Sequence, residues 1–478
     1  MRVLLVSANT ETISMPTLPL GVAGVAAAAR DAGHEVVLLD LMFEDDPKLA
    51  IRSSIEDLRP GLIGVSVRNI DDQNMARPQF LLAPVRKVIE ICRSLSEAPI
   101  VLGGAGYSIF PQSALDYLGA DMGVQGEGEV VFPALVDRLF KGREVADLPG
   151  VHLSGLYARV AGPSKKGSCH SERSEESRSG SRSIEGEVDQ SRISRSAQNE
   201  PFRQAADRGV IPEPCRLEFV ANLDELPLPE PSLWIPAGAR KRKLWVPVQS
   251  RRGCPLDCAY CSTSLIEGRG VRRRSPSQVV KWLAHLRETG CRNFNFVDNT
   301  FNLPLDYAKD ICRQLVQAQL DLHLWCIVYP KWIDAELVEL MRQAGCRQIS
   351  FGFESGSDEM LRSLNKRFDR EEISAASKMF GEAGIDRMGF LLLGGPGETK
   401  DSVEESLAFA ESLHLEALKI TVGIRIYPQT PLGRTALGEG IIRAEDDLLV
   451  PRFYLAPTLR EWLPKRVAAY KASRPWVN

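Results

Sequence analysis

The chain has 478 residues, of which 44% are hydrophobic and 25% are charged, and its 59 basic and 62 acidic side chains leave a formal net charge of −3. A chain of this length is predicted to contain two or three domains with large cores. The balanced charge offers no bulk attraction to nucleic acid, so we expect no nucleic-acid partner.

The chain begins with Met1 and Arg2, and the apolar run Val3 to Val6 that follows turns polar at Ser7, so it is too short for the core of a signal peptide. The next apolar stretch, Leu18 to Ala29, contains Pro19 and falls short of the roughly 20 residues that a membrane helix needs. We therefore expect a cytoplasmic protein with no transmembrane segment.

Residues 1–142 alternate short apolar runs with segments of helical pattern. The predicted strands are residues 3–6, 36–39, 62–65 and 99–102. Strands separated by helices build a parallel, doubly wound sheet, a Rossmann-like α/β fold, whose ligands lie at the carboxyl ends of the strands. Polar and glycine-rich segments stand at those ends, at residues 7–19, 66–69, 103–106 and 126–129.

Residues 143–242 are predicted to form a linker. Within it, residues from about 163 to 206 are rich in serine, glutamate and arginine and have few large apolar side chains. Such a segment cannot bury enough surface to offset its ordering entropy, so we predict a disordered insertion. Cys169 and His170 are adjacent in this insertion, but nothing nearby completes a metal site.

A second alternation of strands and helices fills residues 243–435. Its six predicted strands are residues 244–248, 293–297, 322–328, 348–353, 387–393 and 417–426. Six units suit a partial, TIM-like (β/α)6 barrel, with the active residues at the C-terminal strand ends. The remaining residues, 436–478, are predicted to form a tail or small cap, with a capping or substrate-lid role.

Cys254, Cys258 and Cys261 form a C-x₃-C-x₂-C loop directly after the first barrel strand. Iron–sulfur clusters are held by cysteine thiolates, and three ligands leave one iron of a cubane with an open position. A structural zinc site usually takes four ligands, and no fourth cysteine or histidine lies near in the sequence. We therefore predict a [4Fe–4S] cluster. Five scattered cysteines are predicted to be buried free thiols: Cys92, Cys291, Cys312, Cys326 and Cys346.

With this loop, the chain resembles the cobalamin-dependent branch of the radical S-adenosylmethionine (SAM) superfamily over nearly its whole length. The resemblance implies that SAM chelates the open iron and is cleaved by a reducing electron to methionine and a 5′-deoxyadenosyl radical. It also implies that Tyr260, before the last cysteine, lies near the adenine of SAM.

The resemblance extends to motifs at later strand ends of the barrel. It implies that Asp298 contacts the SAM amino group and that Glu354 reaches the SAM ribose. Gly394, in the run Gly-Gly-Pro-Gly-Glu-Thr, and Tyr427, in the run from residue 426 to 432, correspond to turns on the adenine side. The alternative interpretation is that these are ordinary strand ends with turn-forming glycines and a solvated glutamate.

In the N-terminal region the resemblance is to cobalamin-binding domains joined to radical SAM barrels. It rests on residues 15–21, 66–69, 103–105 and 124–129, with cobalamin contacts expected from Ser66, Arg68, Gly103, Gly104 and Gly126. The Asp-x-His-x-x-Gly loop of classical cobalamin sites is missing, and His34 stands in a helix-to-strand turn. Arg68 is therefore the candidate for the lower face of the corrin, with surface salt bridging as the alternative.

Basic residues at 241–243, 251–252 and 272–274 surround the cysteine loop in the sequence. The usual interpretation of such runs is a solvated face, and the alternative is that they stabilise an anionic cluster or an acidic substrate.

The implied function is methyl transfer to an unactivated carbon of an unknown small-molecule or peptide substrate, with a reductant such as flavodoxin or ferredoxin as partner. Two alternatives stay open. One is a cobalamin-dependent radical SAM oxidoreductase or cyclase without methyl transfer, and the other is a non-catalytic redox or light sensor that binds the cluster and the corrin.

Overall fold

The computed structural model of the chain describes residues 1–12, 15–155, 217–238 and 243–477. The predicted insertion at 163–206, with Cys169 and His170, lies outside these residues, as do Lys241 and Arg242. Within the described ranges, every helix is too short or too polar to cross a lipid bilayer.

The N-terminal sheet has six strands in the order β2-β1-β3-β4-β5-β6, all parallel except the last, which pairs antiparallel with its neighbour. The strands are β1 (Arg2–Ser7), β2 (Glu35–Asp40), β3 (Leu62–Ser66), β4 (Ile100–Gly103), β5 (Met122–Val124) and β6 (Val151–Leu153). The central strand β1 is buried from Val3 to Ser7, as the continuous apolar run of a parallel strand covered on both faces requires.

Helices cover both faces of this sheet. They are α1 (Leu20–Asp31), α2 (Pro47–Leu58), α3 (Leu82–Leu95), α4 (Ala105–Ile109), α5 (Pro111–Leu118) and α6 (Gly128–Phe140). The alanine-rich helix α1 packs closely against α6, because a Cβ on Gly128 would lie 2.9 Å from Val25 and one on Gly24 would lie 3.1 Å from Glu129. The first strands and helices of this region thus form the predicted doubly wound arrangement.

The second sheet is entirely parallel, with strand order β14-β13-β12-β11-β10-β7. Its strands are β7 (Val246–Val248), β10 (Asn293–Phe296), β11 (His323–Val328), β12 (Cys346–Glu354), β13 (Asp386–Leu393) and β14 (Ala417–Val422). Two short strands, β8 (Arg251–Arg252) and β9 (Arg272–Arg273), form an antiparallel ribbon after β7. The six-stranded open sheet confirms the predicted partial barrel.

The helices that connect these strands are α7 (Pro231–Trp234), α8 (Thr263–Glu267), α9 (Pro276–Glu288), α10 (Leu305–Ala318), α11 (Ala335–Gln343), α12 (Asp358–Ser363), α13 (Arg370–Glu382) and α14 (Lys400–Ser412). Several begin at a side chain that accepts a hydrogen bond from the first turn. Asp334 and Asp369 do so at α11 and α13, and this satisfies backbone N–H groups that the helix leaves unpaired.

The last residues of the chain pack against the barrel. They contain β15 (Ile424–Arg425), α15 (Pro431–Gly438), β16 (Phe453–Tyr454) and α16 (Leu463–Ala472). Leu463 and Tyr470 of α16 lie in the barrel core, and the Leu418 N–H donates to the Trp476 carbonyl at 2.9 Å. The C-terminal segment therefore covers β14, the edge strand of the sheet.

Loops from the carboxyl ends of the two sheets meet. Asp71, beyond β3, forms a buried ion pair with Arg425, beyond β14, at 2.8 Å, and Gln73 donates to the Tyr427 hydroxyl at 3.0 Å. Because ligands of parallel sheets bind beyond the carboxyl ends of the strands, this contact brings the two predicted binding edges together.

Candidate active site

The cysteine loop begins where the ribbon β8–β9 ends. Gly253 has φ +87°, and a Cβ there would lie 2.0 Å from the Gly270 carbonyl oxygen, so glycine is required at this position. The Cys254 N–H then donates to the Gly268 carbonyl at 3.1 Å. The chain's own turn therefore fixes where the first cysteine stands.

Two backbone hydrogen bonds hold the middle of the loop. The Ala259 N–H donates to the Leu364 carbonyl at 3.0 Å, and the Ala259 carbonyl accepts from the Leu432 N–H at 2.9 Å. Leu432 belongs to the motif at residues 426–432, so the structure brings that motif against the cysteine loop, while its predicted place on the adenine side stays a prediction.

The three cysteines of the loop are free thiols, with Cys254 buried and Cys258 and Cys261 half-buried. Burial raises the pKa of Cys254 and of Cys258. Across the described ranges, no three His, Cys, Asp or Glu side chains converge closely enough to chelate a single metal ion. A cubane differs in holding each thiolate at a separate iron corner, so three free thiols on one short loop fit a cluster of this kind.

Tyr260 and Glu354 meet beside this loop. The Tyr260 hydroxyl donates to Glu354 Oε1 at 2.8 Å. Glu354 ends β12 in a left-handed conformation, with φ +63°, after a register shift against β13. A Cβ at Gly352 would lie 2.2 Å from the Glu354 carboxylate, so glycine makes room for that side chain. The structure thus brings Tyr260 and Glu354, both predicted to contact SAM, into direct contact.

Lys366 completes this group, and sequence reasoning missed it. Its Nζ donates to the Tyr260 hydroxyl at 3.0 Å and to Glu354 Oε1 at 3.2 Å, and the side chain is only 5% exposed. Burial lowers the pKa of Lys366, but the Glu354 carboxylate and Tyr260 outweigh it and raise the pKa well above its usual range. A buried cation therefore stands next to Cys258, and no motif in the sequence marked it.

Asp298 is fully buried at the end of β10. Its carboxylate accepts from the Ser250 N–H at 2.8 Å, the Ser250 hydroxyl at 2.5 Å and the Arg251 N–H at 3.1 Å. Both oxygens are thus engaged in tying β10 to the chain that leads into the cysteine loop. In this arrangement Asp298 positions the loop, and its predicted contact with the SAM amino group stays a prediction.

Gly394 stands at the end of β13 with φ +101°, where a Cβ would lie 2.4 Å from Leu455. Glu398, four residues later, accepts hydrogen bonds from the N–H groups of Gly394 and Gly395. Burial raises the pKa of Glu398 to about 7. Here a buried carboxylate shapes the turn without any cation partner among the described residues.

The basic runs around the loop do not form a uniformly solvated face, because Arg251 and Arg274 are buried and Arg252 and Arg272 are half-buried. Arg251, only 1% exposed, donates to the Thr300 carbonyl at 2.8 Å and to the Gly253 carbonyl at 2.9 Å. Arg274 is also buried and donates to the Leu226 carbonyl at 3.1 Å. Among the described residues of these runs, Lys243 is exposed, as is Arg273, which lies over the ring of Tyr307.

A cavity of about 390 Å³ opens at the carboxyl edge of the N-terminal sheet. All five predicted cobalamin contacts line it: Ser66, Arg68, Gly103, Gly104 and Gly126. Gly104 has φ +100°, and a Cβ there would lie 2.6 Å from the Val67 carbonyl, whereas one on Gly103 would have 3.8 Å of clearance. Gly104 therefore serves the turn, and Gly103 leaves free space in the cavity.

The same cavity reaches the barrel. Its lining includes Gln249, Arg252 and Glu267 beside the cysteine loop and Trp282 of α9. The Trp282 indole N–H is buried and has no hydrogen-bond partner among the described residues. A glycine-lined slot with polar groups at one end fits a large, flat ligand with amide side chains, as a corrin is.

Two protein-family models match the two regions that contain the cavity and the cysteine loop. The Radical SAM superfamily model matches residues 248–410, and the B12 binding domain model matches residues 6–136. The chain belongs to the B12-binding radical SAM family. The predicted cofactors of this family, a [4Fe–4S] cluster, SAM and cobalamin, are thereby confirmed, while the residues assigned to each stay predictions.

Relatives of this family align along most of the chain. An uncharacterized methyltransferase of Pyrococcus horikoshii is 26% identical over 92% of this chain and 84% of its own. A tryptophan 2-C-methyltransferase of Streptomyces laurentii is 24% identical over 89% of this chain and 73% of its own.

A solved structure gives the fold independently. It is the radical SAM methyltransferase TsrM of Kitasatospora setae with tryptophan substrate and a SAM analog, which superposes with a TM-score of 0.76 at 23% identity, over 98% of this chain and 88% of its own. This likeness confirms the predicted fold class, a doubly wound domain joined to a partial barrel.

Proposed function

We propose that the chain is a cobalamin-dependent radical SAM methyltransferase that acts on an unactivated carbon of a small molecule or peptide. One observation carries the proposal. A single cavity is lined both by the corrin-side residues Ser66 and Gly103 and by Arg252, two residues before the cysteine loop. The full-length relatives named as methyltransferases support the same activity.

When bound, the cluster with SAM supplies a 5′-deoxyadenosyl radical and cobalamin supplies the methyl group. Cys254, Cys258 and Cys261 hold the cluster in this proposal. Tyr260 and Glu354 orient SAM, and their hydrogen bond at 2.8 Å fixes both side chains before SAM arrives. Lys366 forms a charge-assisted contact with the Glu354 carboxylate at 3.2 Å and holds it in place.

On the corrin side, Ser66 and the glycines would form the slot, and Arg68 would contact the corrin. The described residues that line the cavity include no histidine. No carboxylate among the described residues pairs with Arg68, which is exposed at the cavity. An arginine is a cation that binds cobalt poorly, so Arg68 would contact the corrin without serving as a metal ligand.

The electron would come from a flavodoxin or ferredoxin. The alternative of an oxidoreductase or cyclase uses the same cysteine loop, and the alternative of a sensor uses the same cavity. The three hypotheses differ in what becomes of SAM.

The test is anaerobic reconstitution with iron, sulfide and hydroxocobalamin, followed by SAM and a strong reductant. We expect S-adenosylhomocysteine in samples with cobalamin and none in matched samples without it. Formation of 5′-deoxyadenosine without S-adenosylhomocysteine would support the oxidoreductase or cyclase. Intact SAM in every sample would support the sensor.

A further inference from the structure

A chain of buried charges joins the corrin-side loop to the cysteine loop. Arg252 Nη2 lies 2.5 Å from Glu129 Oε1, and Arg252 Nη1 lies 3.4 Å from Glu127 Oε1. The side chains are 15% exposed for Arg252 and 6% for each glutamate. Arg272 forms a second ion pair with Glu127 at 2.5 Å. The loop at residues 126–129 is therefore anchored on the barrel.

The network continues from Arg252 to the cysteine loop. Arg252 Nε donates to Gln249 Oε1 at 3.0 Å, and Gln249 Nε2 donates to Glu267 Oε1 at 3.1 Å. Glu267 Oε2 in turn accepts from the Gly253 N–H at 3.0 Å and from Asn299 Nδ2 at 2.7 Å. Gly253 is the residue directly before Cys254, so each link from Glu129 to the first cysteine is a hydrogen bond or a peptide bond.

Both ends of this network face the same cavity. Glu127, Glu129, Gln249, Arg252 and Glu267 all line it, together with Gly126. Burial alone would raise the pKa of Glu129, but the Arg252 guanidinium outweighs it and the pKa of that carboxyl is lowered. The pair thus stays ionised, and removal of one partner would leave an uncompensated buried charge.

We propose that Arg252 is a positioning residue that couples the corrin-binding loop to the cysteine loop, so that cluster occupancy and cobalamin binding strengthen each other. A cluster bound by Cys254 orders the turn at Gly253, and the network carries that order to the loop at residues 126–129. By linkage, cobalamin then strengthens cluster retention by the same factor. The inference rests on the proposed cofactor sites but not on methyl transfer.

The test compares the dissociation constant of hydroxocobalamin for cluster-free and cluster-reconstituted protein, without SAM or substrate. We expect the cluster to tighten binding by at least about fivefold in the natural chain. In Arg252→Gln, which keeps a hydrogen-bond donor but removes both ion pairs, the ratio of the dissociation constants of cluster-free and cluster-reconstituted protein should fall to about one. Arg273→Gln is the matched control, because Arg273 stands on the same ribbon, is exposed and forms no ion pair among the described residues.

A merely structural brace would lower the melting temperature of Arg252→Gln and leave the cluster-dependent ratio unchanged, and that result would overturn the proposal. A ratio of one in the natural chain would overturn it as well. If Arg252→Gln does not fold, the double variant Glu127→Gln/Glu129→Gln, which removes both carboxylate partners of Arg252, is measured in the same way, and a ratio of dissociation constants equal to that of the natural chain contradicts the coupling. Failure of methyl transfer with the ratio intact would count against the proposed function alone.

Discussion

The two binding edges of the molecule differ in the types of residue that form them. At the N-terminal sheet, the wall of the cavity formed by the strand ends consists largely of backbone and glycines, including Gly103, whereas its charged side chains lie on the loop at residues 126–129 and at the barrel end. At the barrel, the cysteine loop is surrounded by buried charges such as Glu354 and Lys366. The first edge recognises its ligand mainly by shape, whereas the second is organised by charge. Substitutions that add a larger side chain should therefore weaken ligand binding at the first edge. Substitutions that remove a cysteine or a charged side chain should disrupt the second edge.

The largest effect is expected from Cys258→Ala. The variant leaves two cysteines for the cluster, and among the described residues no further group of metal ligands is available, so the cluster's visible absorption and SAM cleavage should both disappear. Cys326→Ala is the control, because Cys326 is buried in β11, away from the loop, and should retain the cluster. Retention of a full cluster in Cys258→Ala would show that Cys258 is not a ligand and would contradict the proposed cluster site at the barrel edge.

Lys366→Met should destabilise the cluster-free protein by about 3 kcal/mol, because it leaves the Glu354 carboxylate buried without a cation. Lys331→Met breaks the more exposed pair with Glu372, at 2.9 Å, and should cost less than about 1 kcal/mol. Urea unfolding of both variants measures the difference. Equal losses would mean that burial does not distinguish the two ion pairs.

Glu398 gives a pH-dependent prediction. Burial raises its pKa to about 7 from the ordinary value of 4.5, so the folded state binds more protons than the unfolded state between these two values. Stability should therefore fall by about 2 kcal/mol as pH rises from about 5 to 7. Glu398→Gln should flatten that part of the pH profile of thermal unfolding, and an unchanged slope would place the titration elsewhere.

Gly103→Val should weaken cobalamin binding by about tenfold with little loss of stability. A Cβ at this position would lie 3.8 Å from the Val124 carbonyl oxygen, and Gly103 belongs to a strand, where valine is well tolerated. The added side chain would fill cavity space that the ligand would occupy. Gly438→Val, which also has room but lies outside the cavity, is the control for a titration by visible absorption. Unchanged affinity in Gly103→Val would show that shape at this wall does not matter.

Most of the fold could be predicted from the sequence because parallel strands appear as uniform apolar runs. All six barrel strands were predicted within a few residues, including β10 at Asn293–Phe296, in which asparagine and phenylalanine alternate. The strands β5 at Met122–Val124 and β6 at Val151–Leu153 were not among the predicted strands, because segments of three residues are too short to show a periodic pattern.

The site was predictable only where a motif fixes its residues. The cysteines have a characteristic spacing, whereas Lys366 reaches Glu354 through a turn after α12 that no pattern announces. The arginines of the basic runs looked like surface charges, since sequence alone does not show that Arg252 has carboxylate partners 123 residues away. Long-range ion pairs depend on how two domains meet, and that information is tertiary.

The central claim is that one chain holds the cluster and the corrin on a shared cavity. Electron paramagnetic resonance of protein loaded with both cob(II)alamin and reduced [4Fe–4S] cluster tests it directly, since both centres are paramagnetic. We predict that the cobalt signal relaxes faster and broadens when the cluster is reduced, compared with the same sample with an oxidised, diamagnetic cluster. A cobalt signal that is identical in the two states would contradict the claim.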